Sequence, residues 1–225
     1  YVGEIFQSLA RAEGLRLPQP EFAKVVTPGV TLVSHESAPL ADILQKMLKY
    51  STNLTAETVG MAATKTRLGA AVPLAESAAH MSRWASERYG APGLSLVDHS
   101  GLSDRSRISA ETMVKILVKA RNLTELHGLL KDIKMRNSKG NLVQSAPTGF
   151  RAKTGTLNFV AGLGGYVTTA EGRELAFAIF SADTGRRALI PVAQRERPKG
   201  ASGWNRRAKI LQYKILNRWC RQYRS

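Results

Sequence analysis

The hydrophobic pattern of this chain changes period once, and that change is its strongest constraint on fold. Up to about residue 130, apolar side chains recur at helical spacing. Val2, Ile5, Phe6 and Leu9 predict a short helix that stops near Gly14. Pro39 suits a first turn, and Leu40, Ile43, Leu44, Met47 and Leu48 share one face of a helix expected to end near Tyr50. A further helix is expected from about Leu54 towards Leu68. Another spans 73–90, with Leu74, Met81 and Trp84 inward. Ser109 reads as the N-cap of the next, with Glu111 in its first turn, and residues 123–130 add one more. From residue 150 the period shortens to two. Residues 150–157 alternate and are rich in Thr, 160–169 follow, and after a turn at Ala170-Glu171-Gly172-Arg173 residues 175–180 read as a buried strand. These predict an antiparallel meander. Residues 24–33 read as strand pieces broken at Pro28-Gly29, and 197–203 as a loop. A last helix over 205–222 sets Ala208, Leu211, Ile215 and Trp219 on one side and arginines on the other. The sum is an α+β fold, an antiparallel sheet flanked by helices.

Charge narrows the partners. The 225 residues carry 33 basic and 17 acidic side chains, a formal charge of +16, at 43% hydrophobic content. That length suits one large domain, or one domain plus part of another. No run reaches about eighteen apolar residues, which excludes a membrane-spanning helix, and the single Cys220 excludes an intrachain disulfide framework. Because it starts at Tyr1 rather than Met, the chain is expected to be a processed or excised piece. Twelve basic residues against the single acid Glu196 crowd positions 186–225. Such a tail attracts nucleic acid, anionic lipid or an acidic envelope, although a solvated helix face explains it more simply. No zinc finger or aromatic–basic interleaving marks a nucleic-acid module.

Most candidate chemistry falls away on spacing. His35, His80, His99 and His127 lie far apart, without metal-ligand spacing. The glycines of Gly162-Leu-Gly-Gly165 lie between strands and suit close backbone packing rather than a dinucleotide. Ser100 lacks the glycine frame of a hydrolase elbow, and Cys220 has no base beside it. Two triplets remain: Ser51-Thr52-Asn53 at a helix junction and Lys153-Thr154-Gly155 on an expected strand. In this order they resemble the Ser-Asp-Asn and Lys-Thr-Gly motifs, two of the three of penicillin-binding proteins and serine β-lactamases. The chemistry needs such groups. A serine acyl-enzyme must stabilise an oxyanion, return a proton to a leaving amine and hold a substrate carboxylate. Ser51 can relay the proton, Asn53 can grip the substrate amide, and Lys153 supplies positive potential. Gly155 lets a substrate strand lie against the sheet edge. The hydroxyls of Thr154 and Thr156 can hold a carboxylate, with the Thr156 N–H in an oxyanion hole.

The longer context resembles the class C low-molecular-mass penicillin-binding proteins, the penicillin-binding protein 4 type of D-alanyl-D-alanine carboxypeptidase and endopeptidase. The stretches that carry the likeness are Ser37-Ala-Pro-Leu-Ala-Asp-Ile-Leu44, Lys49-Tyr-Ser-Thr-Asn-Leu54, Asp98-His-Ser-Gly-Leu-Ser103 and Ala152-Lys-Thr-Gly-Thr-Leu157. The resemblance implies a β-lactamase/transpeptidase-like domain over 34–225 and the end of an inserted accessory domain over 1–33. It also implies peptidoglycan stem peptides and β-lactams as ligands, an extracytoplasmic or periplasmic location, and no cofactor, metal or nucleic acid. The chain departs from the pattern at one decisive point. No serine begins a Ser-x-x-Lys, the nearest form being Thr112-Met-Val-Lys115. This chain is therefore expected to be the C-terminal portion of a longer enzyme, partnered by an N-terminal segment that carries the nucleophile. Alone it is expected neither to react with penicillin nor to fold well. Thr52 stands where Asp is usual, and His99 where Gly is common. The rival readings are a non-catalytic envelope-binding or scaffold protein of the same fold, and a basic binder of nucleic acid or anionic membrane.

Overall fold

The computed structural model describes residues 1–22, 29–136, 139–143, 148–196 and 198–223. Two compact units divide the chain, Tyr1–Ser37 and Ala38–Ser225. In the first, helix α1 (Val2–Ala12) ends where its periodicity ends, and Gln7 Nε2 donates to the carbonyls of Leu17 and Pro18, folding the following segment back. Residues 29–33 form no strand, contrary to expectation, and 24–28 lie outside the described residues. Val30, Leu32 and Val33 are almost fully exposed: apolar alternation without a partner strand makes no ladder.

The second unit opens with α2 (Leu40–Tyr50), α3 (Asn53–Leu68), α4 (Leu74–Tyr89), α5 (Ala110–Leu123) and the short α6 (Leu126–Leu129). Ser109 caps α5 as expected, its side chain accepting the Thr112 N–H at 2.9 Å. The sheet follows: β1 (Lys131–Asp132), β2 (Thr148–Leu157), β3 (Val160–Thr168) and β4 (Glu174–Ala182), antiparallel in the order β1-β2-β3-β4. The meander is the expected one, with β1 as an unforeseen two-residue addition. α7 (Thr184–Ala188), a 3₁₀ turn at Val192–Gln194 and α8 (Ala201–Gln222) complete the chain.

Strand alternation gives the sheet two apolar faces. Phe150, Ala152, Leu163, Phe177 and Ile179 pack with Tyr213, Leu216 and Cys220 of α8. On the opposite face Tyr166 packs with Leu117 of α5 and with Leu130, and its hydroxyl donates to the Leu117 carbonyl at 2.6 Å. Burial beside that carbonyl pushes the Tyr166 phenol up to about 12. Gly165 serves close packing as its sequence setting implied: a Cβ there would meet the Arg151 carbonyl oxygen at 2.1 Å.

Two helix faces differ from expectation. In α4 the buried side chains are Ser77, Ala78, Ser82, Ala85 and Tyr89, and Trp84 stays 36% exposed. Small residues let α4 approach its neighbours closely, leaving the indole at the rim under the Arg67 guanidinium. α8 begins at Ala201, and its buried stripe is Ala208, Gln212, Tyr213, Leu216 and Cys220. Leu211 is 53% exposed, while Ile215 and Trp219 flank the core. The stripe follows 3.6-residue geometry across the sheet rather than the most hydrophobic letters. Burial raises the Cys220 thiol pKa, in keeping with an inert core cysteine.

Candidate active site

α2 ends abruptly because Ser51 takes a left-handed conformation, φ +56°, and two residues later α3 starts at Asn53. A non-glycine residue there is uncommon. It exposes the Ser51 hydroxyl at the junction and puts Asn53 on the first turn of α3, where the side chain is exposed.

From the sheet, Lys153 reaches this junction. Its Nζ donates to Ser51 Oγ at 2.5 Å, across 102 residues of sequence, and to the Thr154 carbonyl at 2.6 Å. Burial lowers the Lys153 pKa from its ordinary value, and the Lys131 ammonium lowers it further. The two triplets thus meet, Ser51 and Lys153 by direct contact and Asn53 on the helix that begins beside them.

Among the described residues the edge of β2 is open where this happens. β1 pairs only with Arg151 and Ala152. The Phe150 carbonyl accepts from the Ile133 N–H, so Phe150 directs its backbone groups outward. With period two, Ala152, Thr154 and Thr156 do the same. The N–H and C=O of Thr154 and Thr156 therefore face outward beyond the last β1 pair, a ready template for an added strand. Alternation also separates side chains. Lys153 and Gly155 share the face that meets Ser51, whereas Thr154 and Thr156 share the face of Ala152. There Thr154, Gly155 and Thr156 line a cavity of about 290 Å³ with Asn205, Gln212 and Tyr213.

A second group of residues holds α3, and the sequence reading missed it. Glu57 lies one turn beyond Asn53, and its carboxylate accepts the His99 N–H at 2.9 Å and the Ser100 N–H at 3.2 Å. His99 Nε2 lies 2.8 Å from Ser77 Oγ, which itself donates to Thr64 Oγ1 at 2.8 Å. This short contact ties the ring to Ser77, and Nδ1 is left buried without a partner. Burial lowers the His99 pKa against the opposing pull of Glu57 and Asp98, so the ring is held neutral. The ring fits only because residue 60 is glycine: a Cβ there would lie 2.1 Å from His99 Cγ. Buried Asp98 organises the same loop, accepting from the Ser103 N–H at 2.6 Å, from the Gly101 N–H and from the Ser106 hydroxyl. A glycine in mid-helix was the one local signal pointing here.

Comparison with known proteins identifies the family of the chain. A model of the D-Ala-D-Ala carboxypeptidase 3 (S13) family matches residues 1–204. The chain is 30% identical over 206 residues to the carboxypeptidase DacB of Mycolicibacterium smegmatis, covering 83% of this chain and 44% of that protein. It is 31% identical over 197 residues to the D-alanyl-D-alanine carboxypeptidase DacB of Haemophilus influenzae, covering 80% of this chain and 40% of that one. The chain thus spans less than half the length of these curated relatives. Among solved structures, penicillin binding protein 4 (dacB) from Haemophilus influenzae superposes with a TM-score of 0.67 at 23% identity, over 96% of this chain and 48% of that one. The same protein complexed with a β-lactam gives 0.66. At that identity the likeness establishes the fold, an α+β penicillin-binding architecture.

Proposed function

The chain belongs to the D-Ala-D-Ala carboxypeptidase 3 (S13) family, and from that premise we propose that it is the portion of a serine DD-peptidase that docks the substrate and relays the proton. The observation that carries this is the Lys153 ammonium donating to Ser51 Oγ at the open end of β2. With Lys153 as donor, the Ser51 proton is free to point into the groove. It passes to the leaving amine as the C–N bond breaks, while the Ser51 oxygen takes up the proton released by the attacking serine hydroxyl and Lys153 holds that oxygen in place. A stem peptide ending in D-Ala-D-Ala adds along the edge of β2. The Thr156 N–H faces the developing oxyanion, the Asn53 carboxamide takes the substrate amide, and Gly155 allows close approach. The terminal carboxylate is held by the Lys153 charge, on the face of the strand that meets Ser51.

The serine that is acylated lies on a segment outside residues 1–225, because the sequence contains no Ser-x-x-Lys. The exposed apolar side chains of α2 and α3, Leu40 at 60%, Tyr50 at 66% and Leu54 at 80%, suit a further packed element. Action on peptidoglycan puts the enzyme outside the cytoplasm, and the periplasm is the compartment proposed. Among the described residues no helix is long and apolar enough to cross a membrane.

Fluorescent penicillin tests the reading. The native protein carrying this chain should label covalently, at a serine outside residues 1–225. Lys153→Ala should cut the labelling rate by about 10²–10³ through loss of the cation that positions Ser51. Labelling within residues 1–225, or full labelling of Lys153→Ala, would refute it.

A further inference from the structure

The 22 residues of α8 include no Asp or Glu, so no neighbour one turn away on the helix can neutralise its cations. Arg207, Leu211, Lys214, Arg218 and Arg221 recur at intervals of four and three, and all five are exposed. At 3.6 residues per turn they fall within an arc of about 80° and extend over about 21 Å of helix. That arc lies opposite the buried stripe of Ala208, Gln212, Leu216 and Cys220 that seats α8 on the sheet. Among the described residues none of these four cations has a carboxylate within ion-pair distance. Scattered charges would make an ordinary solvated face. Here Lys214 neighbours Arg218, and Arg218 neighbours Arg221, at helical contact spacing. Like charges so placed cost the helix a little, and an anionic partner relieves the cost.

The shape of the row indicates its occupant. Charges lined along the convex back of a helix meet a surface; they do not enclose a small anion. Leu211 adds an independent observation, because it sits within the row and is 53% exposed. A bare leucine among cations gains nothing from water or from a phosphodiester backbone. It does gain from the acyl boundary beneath lipid headgroups, while the long Lys and Arg stems lie along that boundary and lift their charges to the phosphates. The apolar face of α8 is already committed to the sheet, so the helix cannot roll inward. The contact is therefore shallow and reversible, made by charge with one leucine.

We propose that the outer face of α8 rests on an anionic lipid surface, with Arg207, Lys214, Arg218 and Arg221 on the headgroup phosphates and Leu211 in the acyl boundary. α8 packs on the sheet face of Ala152, whereas Lys153 projects from the other face to Ser51. A molecule adsorbed through α8 holds the Lys153 side away from the lipid. Each cation at an anionic surface contributes about fivefold to partitioning, and burying the half-exposed leucine contributes about as much. The inference does not depend on the DD-peptidase reading, since it concerns the opposite face of the sheet and is measured by binding alone.

Co-sedimentation of the native protein with vesicles of phosphatidylcholine, alone or with about 30% phosphatidylglycerol, tests it. Only the anionic vesicles should retain the protein. Raising salt from about 0.1 M to about 1 M, which shortens the screening length from about 10 Å to about 3 Å, should release it. Lys214→Gln/Arg218→Gln should lower the partition coefficient about 25-fold, and Leu211→Gln about fivefold with its salt dependence kept. Lys46→Gln/Lys65→Gln removes the same charge from exposed sites on α2 and α3 and should change it by less than about twofold. Circular dichroism confirms that each variant is folded. Equal retention by the two kinds of vesicle, retention by neither, or a Lys46/Lys65 pair that weakens binding as much as the α8 pair would overturn the proposal. Tighter binding to a short DNA duplex than to the vesicles, lost in the α8 pair, would assign the row to nucleic acid and overturn it equally.

Discussion

Gly60→Ala sets two physical arguments against each other, with opposite signs. Residue 60 lies inside α3, where alanine in place of glycine gains about 1 kcal/mol of helix propensity. The added methyl, however, would sit 2.1 Å from Cγ, 2.3 Å from Nδ1 and 2.5 Å from Cδ2 of His99. That ring cannot move freely, because Nε2 is tied to Ser77 and its backbone N–H to Glu57. Overpacking a filled site costs about 1–3 kcal/mol, and displacing the ring leaves Ser77 without its hydrogen-bond partner at a similar cost of about 1–3 kcal/mol. Against the propensity gain, the net destabilisation is roughly 1–5 kcal/mol. Denaturant unfolding of wild type, Gly60→Ala, His99→Ala and the double variant measures it. In the His99→Ala background the ring atoms that the methyl would strike are gone, so the cost of the same substitution should fall by about 1 kcal/mol or more, a coupling that reports direct contact. Since Asn53 lies two turns upstream on the same helix, penicillin acylation should slow in Gly60→Ala and partly recover in the double variant. A stability gain of about 1 kcal/mol for Gly60→Ala in the native background would mean that His99 does not pack on α3, and the account of how Asn53 is positioned would fail.

Three further outcomes are expected. Ser51→Gly removes the proton relay but suits the left-handed backbone at φ +56°, so stability should stay within about 1 kcal/mol of wild type while acylation falls about 10²–10⁴-fold; retained acylation would exclude Ser51 from the relay. Because burial and then Lys131 lower the Lys153 pKa, acylation should begin to fall on the alkaline side below the ordinary lysine value of 10.5. Lys131→Gln should move that limb upward, and an unmoved limb would count against Lys153 as the titrating group. His99 is held neutral in the fold below its ordinary pKa of 6.5, so the unfolded chain takes up a proton first on acidification. Stability should therefore drop as pH falls from 6.5 towards the folded value, a slope that His99→Gln should flatten in equilibrium unfolding curves.

Helix positions, the order of the meander and the two triplets were legible in the linear chain. Each depends on residues within one or two turns of each other: the Leu40 to Leu48 stripe, the Ser109 cap, the alternation from residue 150. Local propensity and period are properties of neighbours in sequence, and Ser51-Thr52-Asn53 and Lys153-Thr154-Gly155 are short enough to be read the same way. Orientation was less legible. Leu211 and Trp84 read as inward and lie at the surface, because the buried arc is chosen by what packs opposite and not by the hydrophobicity of the arc itself.

What the chain alone could not express is any relation that closes over long separations. The Lys153–Ser51 bond joins residues 102 apart, Glu57 reaches across 42 and 43 positions to two backbone N–H groups, and the Asn205 amide donates to the Leu157 carbonyl across 48. Two triplets of common residues supply the groups of the proposed site. Only folding makes one groove of them, by stopping α2 at a strained serine, seating α3 on a histidine that one glycine admits, and leaving β2 without a neighbour where the lysine projects.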